Sequence, residues 1–472
     1  MSDEANHSDL RFSRPRGEVL GRLSGQIEQI WGQFDSARDS EPEFSPDLAK
    51  LLASSLPEHG FGEESAIDQS LGVLDQSLAQ SRPRFFAYIG SSGLEIGAIA
   101  DFLASSFDIN LAVDSRAASR LEEQTARWLG DFLGFSEAKG LFTSGGTVSN
   151  VTALAAARTK ALPDSRQNGV SVPVAVYCSA EAHYSNVRAV ELLGLGSKSL
   201  RKIEIDEQRR MKPEALEAAI KADLAAGVVP IAVIASSGTT LTGAVDPLRA
   251  ISEICKRYDV WMHVDGAYGA PAAGTELCAP IFDGLDLADS VTVDAHKWLF
   301  VPKACSILLV KDLRSLYMTF AHDEAYMPHN ESVNPVDITL EYSRPLRALK
   351  LWMGFMAHGA SEFRKAITEN VELAQYTYER ASADENFRVL PHEPQLSIVP
   401  IQYRPAGVSD YSAHNRDLCN ALVEDGRIYI SPAQIDGETW LRPCYTNFRT
   451  TRHDVDVMFE VIAEVSAGLA ER

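Results

Sequence analysis

The stretches VPIAVIASSGTT (229–240), VWMHVDGAYG (260–269) and SVTVDAHKW (290–298) decide how this chain folds. Each opens with a short, nearly unbroken apolar run and closes on small and polar residues. Apolar character without alternation marks strands buried on both faces, as in a parallel sheet covered by helices on either side. VPVAVYC (172–178) and SILLV (306–310) read the same way. From about residue 95 such runs alternate with helical stretches such as 118–133, so the spacing predicts βαβ crossovers and an α/β fold. The closures SSGTT, DGAYG and DAHKW then gather at the C-terminal edge of the sheet, where open α/β sheets bind ligands.

Outside this centre, residues 17–34 place Val19, Leu20, Leu23, Ile27, Ile30, Trp31 and Phe34 at helical spacing. An amphipathic first helix with no partner nearby points to docking on a second subunit. Residues 320–345 show no periodicity and carry three prolines, so a long loop is expected there, a feature often tied to function. A helix over 346–380, strands SIVPIQY (397–403) and WLRPCY (440–445) and a final helix over 452–468 outline a small C-terminal α+β domain.

A chain of 472 residues that is 45% hydrophobic buries a large core. Its 44 Lys and Arg against 65 Asp and Glu, a balance of −21, argue against nucleic acid and anionic membrane as partners. The polar N-terminus MSDEANHSDLRFSRPRGEV lacks the apolar core of a signal peptide, and no run later is long enough to span a membrane, so a cytoplasmic location is expected. The six cysteines (Cys178, Cys255, Cys278, Cys305, Cys419, Cys444) form no CxxC pair and are expected to be reduced and mostly buried. No metal site is expected: His296 has no second histidine at i+4, and no carboxylate cluster has ligand spacing.

Four segments carry chemistry: TSGGTVSN (143–150), YCSAEAHYSN (177–186), HVDGAYGAPA (263–272) and VDAHKWLF (293–300). In the first, Gly145, Gly146 and Thr147 precede a helical run, so backbone N–H groups and the helix dipole can meet an anion. A glycine turn with a threonine cap explains that stretch taken alone. Asp265 ends a strand beside small residues that leave room for a planar ligand, although capping aspartates are common at such places. Lys297 follows another strand between His296 and Trp298, an apolar setting expected to lower its amine pKa and make it nucleophilic. Together the segments supply a phosphate cradle, an acid for a pyridine nitrogen and an amine for an aldehyde, which are the groups pyridoxal 5'-phosphate requires.

From about residue 80 to 355 these segments resemble the group II amino-acid decarboxylases (aromatic amino-acid, histidine and glutamate decarboxylases) and their aldehyde-synthase relatives, with HKW the most specific motif. The resemblance implies the type I pyridoxal phosphate-dependent transferase fold: a mainly parallel seven-stranded sheet, an N-terminal helical segment and a small C-terminal α+β domain. It divides the chain into a helical dimerisation segment (1–94), a cofactor-binding domain (95–355) and a C-terminal domain (356–472), in a homodimer with active sites near the interface. It also implies that Lys297 holds the cofactor as a Schiff base, Asp265 keeps the pyridine nitrogen protonated, His183 stacks on the ring and Ala267 packs its other face. His296 and Thr240 join the cofactor site, and Asp246 is placed near it.

Tyr326 matches the loop tyrosine that protonates the carbanion carbon in the decarboxylases, so Lys297, Tyr326 and His183 form the implied catalytic set. Relatives with another residue at the tyrosine position tend to form aldehydes. That outcome, or β-elimination, is the alternative on the same scaffold. Arg344 or Arg347 matches a basic segment expected to orient the loop or the dimer, although a helix with solvated arginines explains it equally. Tyr88 and Ile89 fall in the implied substrate pocket, where Ile89 and Gly90 replace the usual Phe and Pro, so the substrate is expected to be bulkier than dopa or tryptophan, or a biosynthetic intermediate with an amino-acid end. Three further departures are Asp294 where aromatic decarboxylases commonly carry Asn, Val148 in place of an acid, and Gly266 in place of an alanine.

Overall fold

The computed structural model describes residues 12, 14–35, 45–90, 92–322 and 334–470. Seven strands build the main sheet: β1 (Lys139–Thr143), β2 (Val174–Ser179), β3 (Leu200–Ile203), β4 (Val229–Ser236), β5 (Trp261–Asp265), β6 (Ser290–Val293) and β7 (Ser306–Val310). Their order is β1-β7-β6-β5-β4-β2-β3, and only β7 runs antiparallel to its neighbours. Residues successive along a strand point to opposite faces. Val233 and Ala235 accordingly join one apolar core with Leu129 and Trp298, while Ala232 and Ile234 join another with Leu154 and Val190. Both faces of β4 are covered, which is why its run carries no polar alternation.

The helix Gly146–Ala161 lies in the second of these cores and is buried on nearly every side. Parallel pairing sets Ser236 opposite Asp265, and Asp265 opposite Thr292, so the C-terminal ends of β4, β5 and β6 finish level with one another. That edge, beside the first turn of Gly146–Ala161, positions the site.

A second sheet holds β8 (Phe387–Val389), β9 (Ile401–Tyr403), β10 (Ser431–Ile435) and β11 (Glu438–Arg442), all antiparallel, in the order β10-β11-β9-β8. Asp436 and Gly437 close the β10–β11 hairpin with φ of 52° and 80°, the doubly positive pair that a two-residue turn of the right twist needs. Helices Tyr411–Asp425 and Arg452–Ala470 cover this sheet around Leu418, Met458 and Ile462. The extended segment at 84–88 is stitched onto the same unit: Phe86 N donates to Tyr429 O (2.8 Å) and Cys444 N to Phe86 O (3.0 Å). The long helix Ala348–Ala383 breaks at Gly359, where φ is +74°.

The helix Arg16–Phe34 forms near the span expected, and among the described residues it buries only Val19. Arg22 joins it to Asp68 on the helix Glu63–Asp75 (2.7 Å). All six cysteines are free and buried. Among the described residues no helix is long and apolar enough to cross a membrane.

Candidate active site

The edge of the main sheet and the start of Gly146–Ala161 enclose a cavity of about 360 Å³. Gly145, Gly146, Thr147, His183, Thr240, Asp265, Ala267, His296 and Lys297 all line it, and so does Ile89. Four sequence segments separated by up to about 150 residues thus meet around one space.

Among the described residues no side chain caps Gly146–Ala161, which leaves first-turn N–H groups available to an anion. A Cβ on Gly146 would come within 2.9 Å of Asp294 Oδ2 and 3.1 Å of Ala267 Cβ, so the backbone approaches its neighbours as only glycine allows. Gly266 is equally constrained: a Cβ there would sit 2.5 Å from Ala270 Cβ, which accounts for the absence of an alanine beside Asp265.

Asp265 is held from two sides. Asn150 Nδ2 donates to its Oδ2 (3.0 Å) and Ala267 N to its Oδ1 (3.3 Å). Asn150 Oδ1 in turn meets His263 Nε2 (3.0 Å), and His263 Nδ1 meets Ser290 Oγ (2.8 Å). Burial drives the His263 pKa down to about 4, so this histidine is neutral. His183 Nδ1 lies 2.8 Å from Ser185 Oγ, and burial lowers its pKa against the opposing pull of Asp265. Asn150 and Ser185 stand inside the quoted segments yet received no role from the sequence. Asn150 lies one turn beyond Gly146, on the same helix face, and that spacing is the signal that could have found it.

Lys297 Nζ lies 3.0 Å from Asp294 Oδ2. Burial lowers the lysine pKa, but the Asp294 carboxylate, with Asp265 behind it, works against that, and the net direction is upward. The expectation of an apolar setting and a lowered amine pKa is therefore corrected: the amine faces a cavity lined by His183, Asp265 and Asp294 and sits in an ion pair. Asp294 is pushed up by burial and held below the usual carboxylate range by Lys297 and His296. The compensating partner that an acid at this position requires is Lys297 itself.

Other sequence assignments move. The Tyr88 ring lies outside the cavity, half-exposed beside Phe85 and Tyr429. Asp246 is also outside its lining: fully buried, it accepts from Met211 N and Ser236 N, both at 2.7 Å, and fastens the end of β4. Arg344 and Arg347 are not solvated. The first makes a buried two-point pair with Glu122 (2.7 and 2.5 Å), and the second pairs with Glu341 (2.8 and 2.9 Å). Thr240 reaches the site, and its carbonyl also accepts from Arg442 (3.0 Å). Tyr326 lies outside the described residues.

The pyridoxal-dependent decarboxylase conserved domain matches residues 46–404. The chain belongs to the pyridoxal-dependent decarboxylases. It is 34% identical over 444 residues to the aromatic-L-amino-acid decarboxylase of Bacillus atrophaeus, covering 92% of this chain and 90% of that protein. It is 32% identical over 380 residues to human cysteine sulfinic acid decarboxylase, covering 77% and 75%. The crystal structure of mouse CSAD shares the fold with a TM-score of 0.88 at 27% identity, over 95% of this chain and 98% of that one.

As a pyridoxal-dependent decarboxylase the chain is a carboxy-lyase whose cofactor is pyridoxal phosphate. The residues present fit that group. An uncapped helix start suits the phosphate, a braced carboxylate suits a pyridinium, and the lysine amine suits an aldehyde. Among the described residues no cluster of three or more His, Cys, Asp or Glu is placed to hold a metal ion.

Proposed function

We propose that this protein removes CO2 from an amino acid, or from a biosynthetic intermediate with an amino-acid end, using Lys297 as the cofactor lysine. The observation that carries this reading is the convergence of Asp265, Lys297 and the uncapped Gly146 helix start on one cavity. When bound, pyridoxal phosphate supplies an electron sink for the pair left behind as CO2 departs. The first-turn N–H groups at Gly146 and Thr147 hold its phosphate. Asp265 keeps a proton on the pyridine nitrogen, and Asn150 and Ala267 N fix the carboxylate for that task. His183 and Ala267 would flank the ring, and Thr240 and His296 would complete the lining around it. Neutral His183, held by Ser185, adds no competing positive charge above the ring. Tyr326 returns a proton to the substrate carbon in this reading.

The relatives named for aromatic amino acids and for cysteine sulfinic acid leave the side-chain class open, and the substrate reading rests on the pocket wall. Ile89 forms that wall, followed by Gly90, and supports a substrate larger than dopa or tryptophan. The protein works as a homodimer: Leu20, Phe61, Phe102 and Phe107 are exposed apolar side chains that a partner copy would cover. Its six reduced thiols agree with a cytoplasmic location. Light scattering should give twice the 51.6 kDa chain mass, and a monomer would remove this part of the reading.

The deciding experiment combines absorbance before and after borohydride reduction with product analysis over a panel of amino acids. A visible-edge band lost in Lys297→Ala, with CO2 and amine as products, supports the proposal. Ammonia and peroxide beside CO2 would assign the aldehyde-forming outcome, and pyruvate with a thiol would assign β-elimination. Efficient turnover of dopa or tryptophan would overturn the substrate assignment alone.

A further inference from the structure

We propose that Asp294 keeps the Lys297 amine charged until the cofactor arrives, and thereby sets the pH at which the protein captures pyridoxal phosphate. The inference rests on Lys297 being the cofactor lysine. Asp294 is only 2% exposed, and among the described residues Lys297, His296 and the Ser306 hydroxyl are the groups that favour its charge. A carboxylate so placed needs a cation. His296 serves poorly: its Nε2 is 3.8 Å away, and its Nδ1 is engaged by the Cys305 backbone (2.8 and 3.1 Å). Lys297 Nζ, at 3.0 Å, is the partner.

The groups facing Lys297 divide by sign. Asp265 adds to the hold of Asp294, the Cys444 thiol is pushed up to about 12 by burial and carries no charge at neutral pH, and His183, His296 and Lys303 oppose the hold whenever they are charged. Asp265 is already engaged by Asn150 and Ala267 N, which leaves Asp294 as the group whose charge is directed at the amine. The same carboxylate lies against Gly146, 2.9 and 3.2 Å from the position a Cβ would take. It therefore also opposes a phosphate arriving at that helix start.

An ammonium cannot attack an aldehyde. For capture, Lys297 first releases one proton to water. The amine nitrogen then forms a double bond to the aldehyde carbon, and the aldehyde oxygen leaves as water with the two remaining amine hydrogens. Removing the Asp294 charge raises the neutral fraction of Lys297, by about tenfold for each unit that its pKa falls.

The test measures capture by cofactor-stripped full-length protein between pH 6 and 9, by absorbance and borohydride trapping. Pyridoxal, which has no phosphate, isolates the effect on the amine, and pyridoxal phosphate adds the effect on the anion. The wild-type rate with pyridoxal should rise about tenfold per pH unit without levelling off below about pH 9. Asp294→Asn should capture pyridoxal about tenfold faster at pH 7, with a larger gain for pyridoxal phosphate. A wild-type plateau below pH 8, or an Asp294→Asn protein no faster than wild type, would overturn the proposal. Should the variant fail to fold, the wild-type profile decides alone. Lys297→Ala supplies the background; trapping undiminished there would instead refute the assignment of the cofactor lysine.

Discussion

Asp265 is braced before any ligand arrives, because Asn150 and the Ala267 amide fix both of its oxygens and His263 fixes Asn150. A carboxylate oriented in this way can hold a proton on a ring nitrogen without reorganising, so its loss should affect the chemical step more than cofactor retention. Asp265→Asn is expected to lower kcat at least about 100-fold while cofactor affinity changes less than about threefold. Steady-state kinetics paired with a cofactor titration checks this, and equal losses in both would contradict it. The residues Asp265, Lys297 and Gly146 were legible in the sequence because each sits in a short motif at a strand end or a helix start. Asn150 as the brace was not, since its partner is 115 positions away and only the folded sheet brings them together. The Asp294–Lys297 pair was half-legible. The i,i+3 spacing is local, but the buried turn that makes it an ion pair is tertiary.

Burial also decides which elements could be read. Strands β4 and β7 place apolar residues in both cores and show it as nearly unbroken apolar runs, whereas buried polar residues interrupt β5 at His263 and β6 at Ser290 and Thr292. β3, LRKI, lies at the sheet edge with only Ile203 fully buried, so nothing in its composition distinguishes it from a loop. β1 is short and its first two residues are uncovered. β10 alternates buried and exposed positions and contains Pro432, which an edge strand tolerates because one of its sides needs no donor. The Asp436–Gly437 pair after it was the available hairpin signal. Arg344 and Glu122 bind the helix Ala117–Leu133 to the segment leading into Ala348–Ala383 through a pair with side chains 1% and 9% exposed. Removing one charge leaves the other buried and uncompensated, so Glu122→Gln should destabilise the fold by about 3 kcal/mol. Urea unfolding measures this. A change below about 1 kcal/mol, the size typical of a surface pair, would show that the guanidinium finds another partner.

Over the whole molecule, two fully buried groups set opposing responses to pH. Burial raises Asp246 to about 7, against the two backbone N–H bonds that favour its charged form. Between about pH 4 and 7 the native state therefore keeps a proton that the unfolded chain has released, and this contribution to stability is lost as pH rises. His263 is lowered to about 4 by burial. Between about pH 6.5 and 4 the unfolded chain takes up a proton that the native state refuses, and this contribution is lost as pH falls. They are on the order of 4 and 3 kcal/mol for Asp246 and His263 respectively, and over their shared window the two largely cancel. Single substitutions should uncover them with opposite signs. Relative to wild type, Asp246→Asn should give stability that climbs more steeply from pH 4 to 6.5, whereas His263→Asn should give stability that declines across pH 4 to 7. Urea unfolding at half-unit pH steps resolves the two slopes. Parallel curves for the variants and wild type would mean that both groups titrate at ordinary values and that neither carries such a linkage.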